Sequence, residues 1–409
     1  MLANRNRRRM MFSVHTGAIV LRRLPCRLTW LNAATAVPAE LIDMRGTRGP
    51  QFPPLAFLWP ALAAETASEF ASAMAREFIN LAVGPGTETG APEPQFATRN
   101  KVVLELATVR LRDFSTASGG PATLVCAPFA LHGAAITDLA PRHSLVEALQ
   151  RAGIERVFVT DWRSASPDMR LLSIDNYVAD FNVLVDELGG AVNLVGLCQG
   201  GWMALAYAAR FPTKVRKLVL AGAPIDIAAG NSKLSDLARD TPMAIFKELV
   251  DLGGGRILGH RVRQLWALSP LDREAVHHLL QSPDAIGSAA FRRLEARFHE
   301  WHAWTVDLPG TYYLQVVEQL FKENRLAGGS FEILGRPIDL ACMRCPLFLL
   351  AARDDDVVAS EQIFATAHLV DPQHCAIERA TAPCGHLGLF MGRKILVEVW
   401  PEIARWLLH

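Results

Sequence analysis

The residues best suited to chemistry in this chain surround a single cysteine. Cys198 is the third residue of the hexapeptide GLCQGG at 196–201, which follows an apolar run at 192–195 and precedes a helical run at 202–210. A nucleophile between glycines at a strand-to-helix turn is typical of a nucleophile elbow, where serine is the usual residue. The positive end of the helix also favours a developing oxyanion. We therefore interpret Cys198 as a nucleophile rather than as a buried structural cysteine.

The two partners that such a nucleophile needs follow downstream, first an acid and then a histidine. An apolar run at 346–352 predicts a buried strand, and three aspartates, Asp354, Asp355 and Asp356, come soon after it. His386 lies between glycines in the sequence CGHLG. A histidine can act as the general base for a thiol, and a carboxylate can fix the histidine tautomer. The residues alone leave the choice among the three aspartates open.

Backbone amides supply the third part of such a site, the oxyanion hole. The amide of Gln199 directly follows the nucleophile. A predicted strand at 123–127 leads into a loop in which Phe129 or Ala130 would donate a second N–H. Two such donors stabilise the tetrahedral intermediate of acyl transfer. The expected chemistry is therefore acyl transfer through an acyl-cysteine.

Strand and helix signals alternate after residue 100. This alternation predicts an α/β fold with a doubly wound, mostly parallel sheet and a site at the carboxyl ends of the strands. Besides the strands already mentioned, the signals predict strands at 101–111, 156–160 and 217–222 and helices at 144–152, 174–188 and 395–408. Between 227 and 339 the pattern stops, and helix formers and aromatic residues predict a helical cap over the site. We expect the catalytic domain to span 101–409.

The first hundred residues differ from the rest. Seven arginines and no acidic residue precede Glu40, so the basic segment 1–54 is expected to be a disordered tail or the product of an upstream start codon, with a targeting segment as the alternative. The segment 55–100 is expected to hold an amphipathic helix at 55–83 and a glycine- and proline-rich linker at 84–94. The helix would dock onto a partner or pack on its own core.

Charge and cysteine content bear on several other classes of protein. The 42 basic and 41 acidic residues give a net charge of +1, which leaves no basic stripe for nucleic acid. Seven scattered cysteines indicate reduced thiols rather than a disulfide framework. No stretch approaches the roughly 20 apolar residues of a transmembrane helix. We also expect no metal site, because no further ligands accompany Cys342 and Cys345 or the histidines His277, His278, His299 and His302.

From about residue 121 onwards the chain resembles the polyhydroxyalkanoate synthases, with some features of the intracellular polyhydroxyalkanoate depolymerases. The box GLCQGG has the synthase pattern throughout and is similar to that of the short synthases that work with a second subunit. Other comparable runs are DWR at 161–163, DNY at 175–177, NRL at 324–326 and GHLG at 385–388. The resemblance implies an α/β-hydrolase fold and a triad of Cys198, His386 and Asp355, since Asp355 aligns with the family's aspartate.

Two runs resemble the depolymerase branch instead. The loop PFALHGAA at 128–135 departs from the Asn-Lys-aromatic-Tyr type of run found in synthases, and VTDW at 159–162 is similar to the depolymerase sequence. The residue after the family's aspartate, usually histidine in synthases, is Asp356 here. These departures keep hydrolysis open as an alternative to polymerisation.

The resemblance implies a synthase-like acyltransferase that polymerises 3-hydroxyacyl-CoA thioesters through an acyl-cysteine. The alternatives are an intracellular depolymerase, which would act as a thiol ester hydrolase, and an inactive granule-associated homologue. No cofactor is expected beyond the CoA thioester substrate. The expected partners are 3-hydroxyacyl-CoA or a polyhydroxyalkanoate chain, a polymer granule surface, and a second copy or a second synthase subunit. We expect a cytoplasmic protein that associates with granules and does not span a membrane.

Overall fold

A central sheet of eight strands organises the part of the chain that the computed structural model describes, residues 92–266 and 273–409. All of these residues lie in the unit Pro54–His409. The predicted segment 1–54 and the predicted helix at 55–83 lie outside the described residues, as does most of the predicted linker. In chain order the strands are β1 Lys101–Glu105, β2 Val109–Asp113, β3 Thr123–Cys126, β4 Asp138–Ala140, β5 His143–Ser144, β6 Val157–Trp162, β7 Val192–Leu197, β8 Val215–Ala221, β9 Arg256–Ile257, β10 Leu308–Pro309, β11 Glu332–Ile333, β12 Arg336–Pro337, β13 Leu347–Ala352 and β14 Ile377–Ala382.

The strand order of the main sheet is β1-β2-β6-β3-β7-β8-β13-β14. β2 runs antiparallel to both of its neighbours, and the pairs from β6 to β14 are parallel. Apolar clusters cover both faces of the sheet, so the central strand β7 is buried along its whole length. A strand buried on both faces is apolar without alternation, which is why the run before Cys198 is a clear strand signal. The predicted α/β-hydrolase fold with a mostly parallel sheet is confirmed.

Helices flank the sheet. The helix Ile174–Glu187 shows why: Ser173 and Asn176 form a capping box at its start, and its buried side chains recur at helical spacing. The other flanking helices are Leu145–Arg151, Gln199–Arg210, Ser360–Phe364, Thr366–Leu369, Gly388–Met391, Arg393–Glu398 and Trp400–Leu408, with short 3₁₀ turns at Ala134–Thr137, Pro167–Met169 and Leu340–Cys342.

A helical insertion, here called the cap, separates β8 from β13. Its elements are the helices Lys233–Asp240, Met243–Leu252, Gly259–Trp266, Arg273–Leu280, Ala289–Ala303 and Gly310–Gln315 and the π-helix Val316–Lys322, along with the short strands β9 to β12. The segment holds helices where the sequence predicts them, between 227 and 339.

Two local predictions need correction, and one strand has no counterpart among the predictions. The single strand predicted at 101–111 is wrong, because the chain reverses between β1 and β2, where the Leu106 N–H donates to the Val109 carbonyl at 2.9 Å. The helix predicted at 395–408 is interrupted at Val399, since Pro401 has no N–H to continue the helical bonds. Strand β14 was not predicted, because as an edge strand it carries exposed polar residues and no apolar run.

Candidate active site

Cys198 occupies the sharp turn between β7 and the helix Gln199–Arg210. Its backbone has φ 46° and ψ −120°, a left-handed conformation that is rare for a residue with a side chain. The Cys198 N–H donates to the Ala221 carbonyl at 2.9 Å, and the Gly201 N–H donates to the Cys198 carbonyl at 2.8 Å. These bonds hold the turn from both sides, and the Cys198 side chain is partly exposed. This is the geometry of a nucleophile elbow.

The glycines around Cys198 are needed for close packing of backbone on backbone. A Cβ on Gly200 would lie 2.2 Å from the Cys126 carbonyl oxygen, and a Cβ on Gly196 would lie 2.7 Å from the Cα of Gly201. A Cβ on Gly201 would lie 2.3 Å from the Cβ of Ala223. Side chains at these positions would force the elbow away from β3 and β8. The GLCQGG sequence is therefore a steric requirement of the turn as well as a motif.

His386 and Asp355 form a buried pair. The Nδ1–H of His386 donates to Oδ2 of Asp355 at 2.7 Å, and the side chains are only 8% and 1% exposed. The second oxygen of Asp355 accepts hydrogen bonds from the backbone N–H groups of Val357 and Val358, each at 2.9 Å. Since both carboxylate oxygens are engaged, the orientation of Asp355 is fixed, and the tautomer of His386 with it.

The His386 ring also interacts with the thiol of Cys198, and this interaction is electrostatic. Because Asp355 engages Nδ1, Nε2 is the nitrogen left to serve the thiol. Burial by itself lowers the pKa of His386, but the neighbouring Cys198 and Asp355 outweigh it and raise the pKa to about 10. The direction of this shift favours the charged imidazolium, the form that stabilises a thiolate beside it.

The two aspartates next to Asp355, Asp354 and Asp356, have other partners than His386. Asp356 is 59% exposed and forms an ion pair with Lys233 at the start of the first cap helix. The Asp354 backbone N–H donates to the Cys384 carbonyl at 3.0 Å and so ties the acid loop to the loop of His386. Of the three consecutive carboxylates, the structure pairs Asp355 with His386. The sequence prediction that chose the middle aspartate named the same residue.

The predicted oxyanion residues come from the first turn of the helix after Cys198 and from the loop after β3. Gln199 is the first residue of the helix, and its side chain is held by the indole N–H of Trp202 at 2.9 Å. Phe129 and Ala130 follow β3, where the ring of Phe129 is buried and stacks on Tyr177 with centroids 4.8 Å apart. This stacking anchors the loop to the helix Ile174–Glu187.

Sequence reasoning missed the residues that shape the pocket of the histidine. Gly222, in the turn after β8, has φ 55°, and a Cβ there would lie 3.1 Å from Cε1 of His386 and 2.9 Å from Leu389. The ring of Phe390 meets the His386 ring edge to face at 5.4 Å. The sequence gives only a weak indication of the role of Gly222. This glycine is the last residue of a predicted strand, and the site lies at the carboxyl ends of the strands.

No group of three or more metal-ligating side chains occurs among the residues that the structure describes. In the CxxC pair, Cys342 is exposed and Cys345 is buried, and the carbonyl of Cys345 accepts a bond from the Cys375 thiol at 2.9 Å. His277 instead contacts the carbonyl of Asp284 at 3.1 Å. Within the described range, no helix is long and apolar enough to cross a bilayer.

A family profile described as the alpha/beta hydrolase fold matches residues 130–392. This chain belongs to that family. The match includes the elbow, the cap and the loops of both Asp355 and His386. The order nucleophile, acid, histidine along the sequence is the order of α/β-hydrolases. In this chain, cysteine stands at the elbow position where serine is usual.

Curated relatives are similar to this chain over two-thirds of its length. One is the poly(3-hydroxyalkanoate) polymerase subunit PhaC of Synechocystis sp., 29% identical over 281 residues that cover 66% of this chain and 74% of the relative. The protein of the same name from Allochromatium vinosum is 27% identical and covered to 76%. Among solved structures, a monoacylglycerol lipase of Paleococcus ferrophilus matches 73% of this chain and 98% of its own, at 18% identity and a TM-score of 0.47.

Proposed function

We propose that this α/β-hydrolase is a polyhydroxyalkanoate synthase-like acyltransferase that polymerises 3-hydroxyacyl-CoA thioesters through an acyl-cysteine on Cys198. The observation that carries the proposal is a cysteine at the elbow whose side chain interacts with a histidine that Asp355 holds. The similarity to polymerase subunits supports the choice of substrate. No feature of the site favours the depolymerase alternative over this one.

The proposed reaction has two halves. The Cys198 thiolate attacks the thioester carbonyl, the oxygen becomes an oxyanion, and the carbon–sulfur bond to CoA breaks as protonated His386 gives its proton to the departing CoA thiolate. In the second half, neutral His386 takes the proton from a 3-hydroxyl group, whose oxygen attacks the acyl-cysteine. An ester forms, and Cys198 leaves as a thiolate beside the recharged imidazolium.

Cysteine suits this exchange better than serine. An acyl-cysteine is a thioester, as is acyl-CoA, so the acyl group passes between the two with little change in free energy. A serine ester would lie lower and would be harder to return to a thiol. The raised pKa of His386 fits this role, since an imidazolium stabilises a thiolate beside it.

The oxyanion hole is proposed to consist of backbone N–H groups from Gln199 and from Phe129 or Ala130. Gln199 begins a twelve-residue helix, so its amide lies at the positive end of the helix dipole. The proposal needs no resident cofactor. The partners in this proposal are the CoA thioester, the growing chain and a granule surface in the cytoplasm, with a second copy or second subunit as a further partner.

The experiment is a product analysis with purified full-length protein and 3-hydroxybutyryl-CoA. We expect release of free CoA, measured by chromatography, with the acyl units recovered as ester-linked oligomer or polymer. Release of free 3-hydroxybutyrate instead, together with hydrolysis of amorphous polymer, would contradict polymerisation in favour of the hydrolase. Granule binding with neither product would favour an inactive homologue. Cys342→Ala, at an exposed cysteine outside the site, is the matched control for Cys198→Ala.

A further inference from the structure

The loop that follows β3 is hydrogen-bonded to the cap at three consecutive residues. Loop residues 131–133 contact the cap segment 301–306, at the end of the helix Ala289–Ala303. The bonds join the Val306 N–H to the Leu131 carbonyl at 3.0 Å, His132 Nδ1 to the Trp304 carbonyl at 3.2 Å, and the Trp301 indole N–H to the Gly133 carbonyl at 3.1 Å. Phe129 and Ala130 lie in the same loop and directly precede these three residues.

Ring packing reinforces the same contact. A Cβ on Gly133 would lie 2.3 Å from the ring of Trp304, so the cap rests directly on the loop backbone. The His132 ring lies 4.7 Å from that of Trp301 and 5.0 Å from that of His302, measured between centroids. The loop therefore cannot shift without moving this part of the cap.

His132 supplies the central bond. A carbonyl oxygen only accepts hydrogen bonds, so Nδ1 of His132 must carry a proton to bond to Trp304. Burial lowers the pKa of His132 to about 4, helped by the positive charge that nearby His302 can carry. At neutral pH the ring is uncharged and donates from Nδ1 to the Trp304 carbonyl.

We propose that His132 is a positioning residue that fixes the oxyanion loop to the cap, so that the N–H groups of Phe129 and Ala130 stay aimed at the reacting carbonyl. The inference rests on the proposed function, because it assumes that those amides stabilise the oxyanion. His132 touches neither Cys198 nor His386 in any contact described above. Its effect would therefore reach the chemistry only through the loop backbone.

The expected effect of a His132 substitution on kcat and KM depends on the stage of the reaction at which the hydrogen bonds to the oxyanion form. They strengthen in the transition state, so misaligned donors lower kcat more than they change KM. Alkylation of a thiolate by iodoacetamide builds no oxyanion and should not depend on the loop. Removing an oxyanion donor outright costs about 10²–10³ in kcat. Releasing the loop should therefore cost about tenfold or more.

The test compares His132→Leu, which has no donor, with His132→Asn, whose amide N–H can replace Nδ1. The control is His277→Leu, which removes a similar bond from a cap histidine to the Asp284 carbonyl, 3.1 Å long. Each variant is assayed for acyl-enzyme formation with p-nitrophenyl butyrate and for CoA release from 3-hydroxybutyryl-CoA. The rate of Cys198 alkylation by iodoacetamide and the thermal melting temperature are also measured.

We expect His132→Leu to lower kcat at least about tenfold with KM and alkylation changed less than about threefold, and His132→Asn to recover part of the loss. Unchanged turnover in His132→Leu, or turnover and alkylation that fall together, would overturn the proposal. If His132→Leu fails to fold, Trp301→Phe replaces it, because it removes the bond to Gly133 and keeps a ring. Wild-type acylation by the nitrophenyl ester without CoA release would count against the proposed substrate and leave this test intact.

Discussion

The turn glycine Gly222 lies against the ring of His386, because a Cβ at that position would come within 3.1 Å of Cε1 and 3.3 Å of Nδ1. A side chain at position 222 would push on the ring that Asp355 and Cys198 both engage. The turn after β8 thus sets the position of the proposed base, although it contributes no functional group of its own.

Gly222→Ala should therefore damage activity more than stability. Its φ of 55° strains an alanine, and the new methyl group pushes on the ring. The ring must give way by a few tenths of an ångström, and a displacement of about 1 Å costs about 10²-fold in rate, so we expect kcat to fall about tenfold. The matched control is Gly254→Ala, at φ 65° with no neighbour within 4 Å, which should lose a similar 1–2 kcal/mol, roughly, of folding free energy and keep its turnover. Equal kcat values for the two variants would show that the Gly222 contact does not matter.

Cys198→Ala should abolish turnover and leave the fold intact. The substitution removes the nucleophile and little volume, so we expect a loss of at least about 10³-fold in CoA release with an unchanged melting temperature. Cys198→Ser should also be severely impaired, because the site is inferred to serve a thiolate. Cys342→Ala should behave as wild type. Substantial residual activity in Cys198→Ala would refute the assignment of the nucleophile.

Asp355→Asn should be far more harmful than the same change at its neighbours. It removes the charge that holds the His386 tautomer, and comparable substitutions in triads cost about 10⁴-fold in kcat. Asp354 and Asp356 make no side-chain contact with His386 in the structure's described hydrogen bonds, so Asp354→Asn and Asp356→Asn should stay within about threefold of wild type. Parallel kinetics on the three variants decide between them.

The raised pKa of His386 predicts a specific pH dependence of stability. The pKa is 6.5 for a free histidine and about 10 here, so the folded state binds the proton more tightly than the unfolded state does. The stabilisation is fully present below about pH 6.5 and is lost as the pH rises through about 10. Denaturant unfolding of wild type and Asp355→Asn should be measured across this pH range. The difference between their free energies of unfolding should become smaller as the pH rises. A difference that becomes larger instead would contradict the assigned shift.

Local chemistry explains which parts of the site could be predicted. Cys198 and His386 stand between glycines, and the strand before Cys198 is buried on both faces, so both loops have strong signals in the sequence. Asp355 needed the family alignment, because only the hydrogen bonds from Val357 and Val358 distinguish it from its neighbours.

Other features depend on contacts that no short segment encodes. The hairpin between β1 and β2 joins two strands of similar composition, and β14 has the polar surface of an edge strand. The bond between His132 and Trp304 joins residues far apart in the chain. Gly222 becomes informative only when the ring beside it is known.

Cys198, Asp355 and His386 lie in the turns that follow β7, β13 and β14. This placement also has a consequence for folding kinetics. The elbow can form as soon as β7 packs between β3 and β8, but its thiol acquires a histidine only after the last two strands have docked. Contacts between distant parts of a chain close late, since their loop entropy must be overcome first. During refolding, the moment at which Cys198 begins to be alkylated rapidly would therefore report when β13 and β14 have joined the sheet. An early intermediate would carry the same thiol with ordinary reactivity.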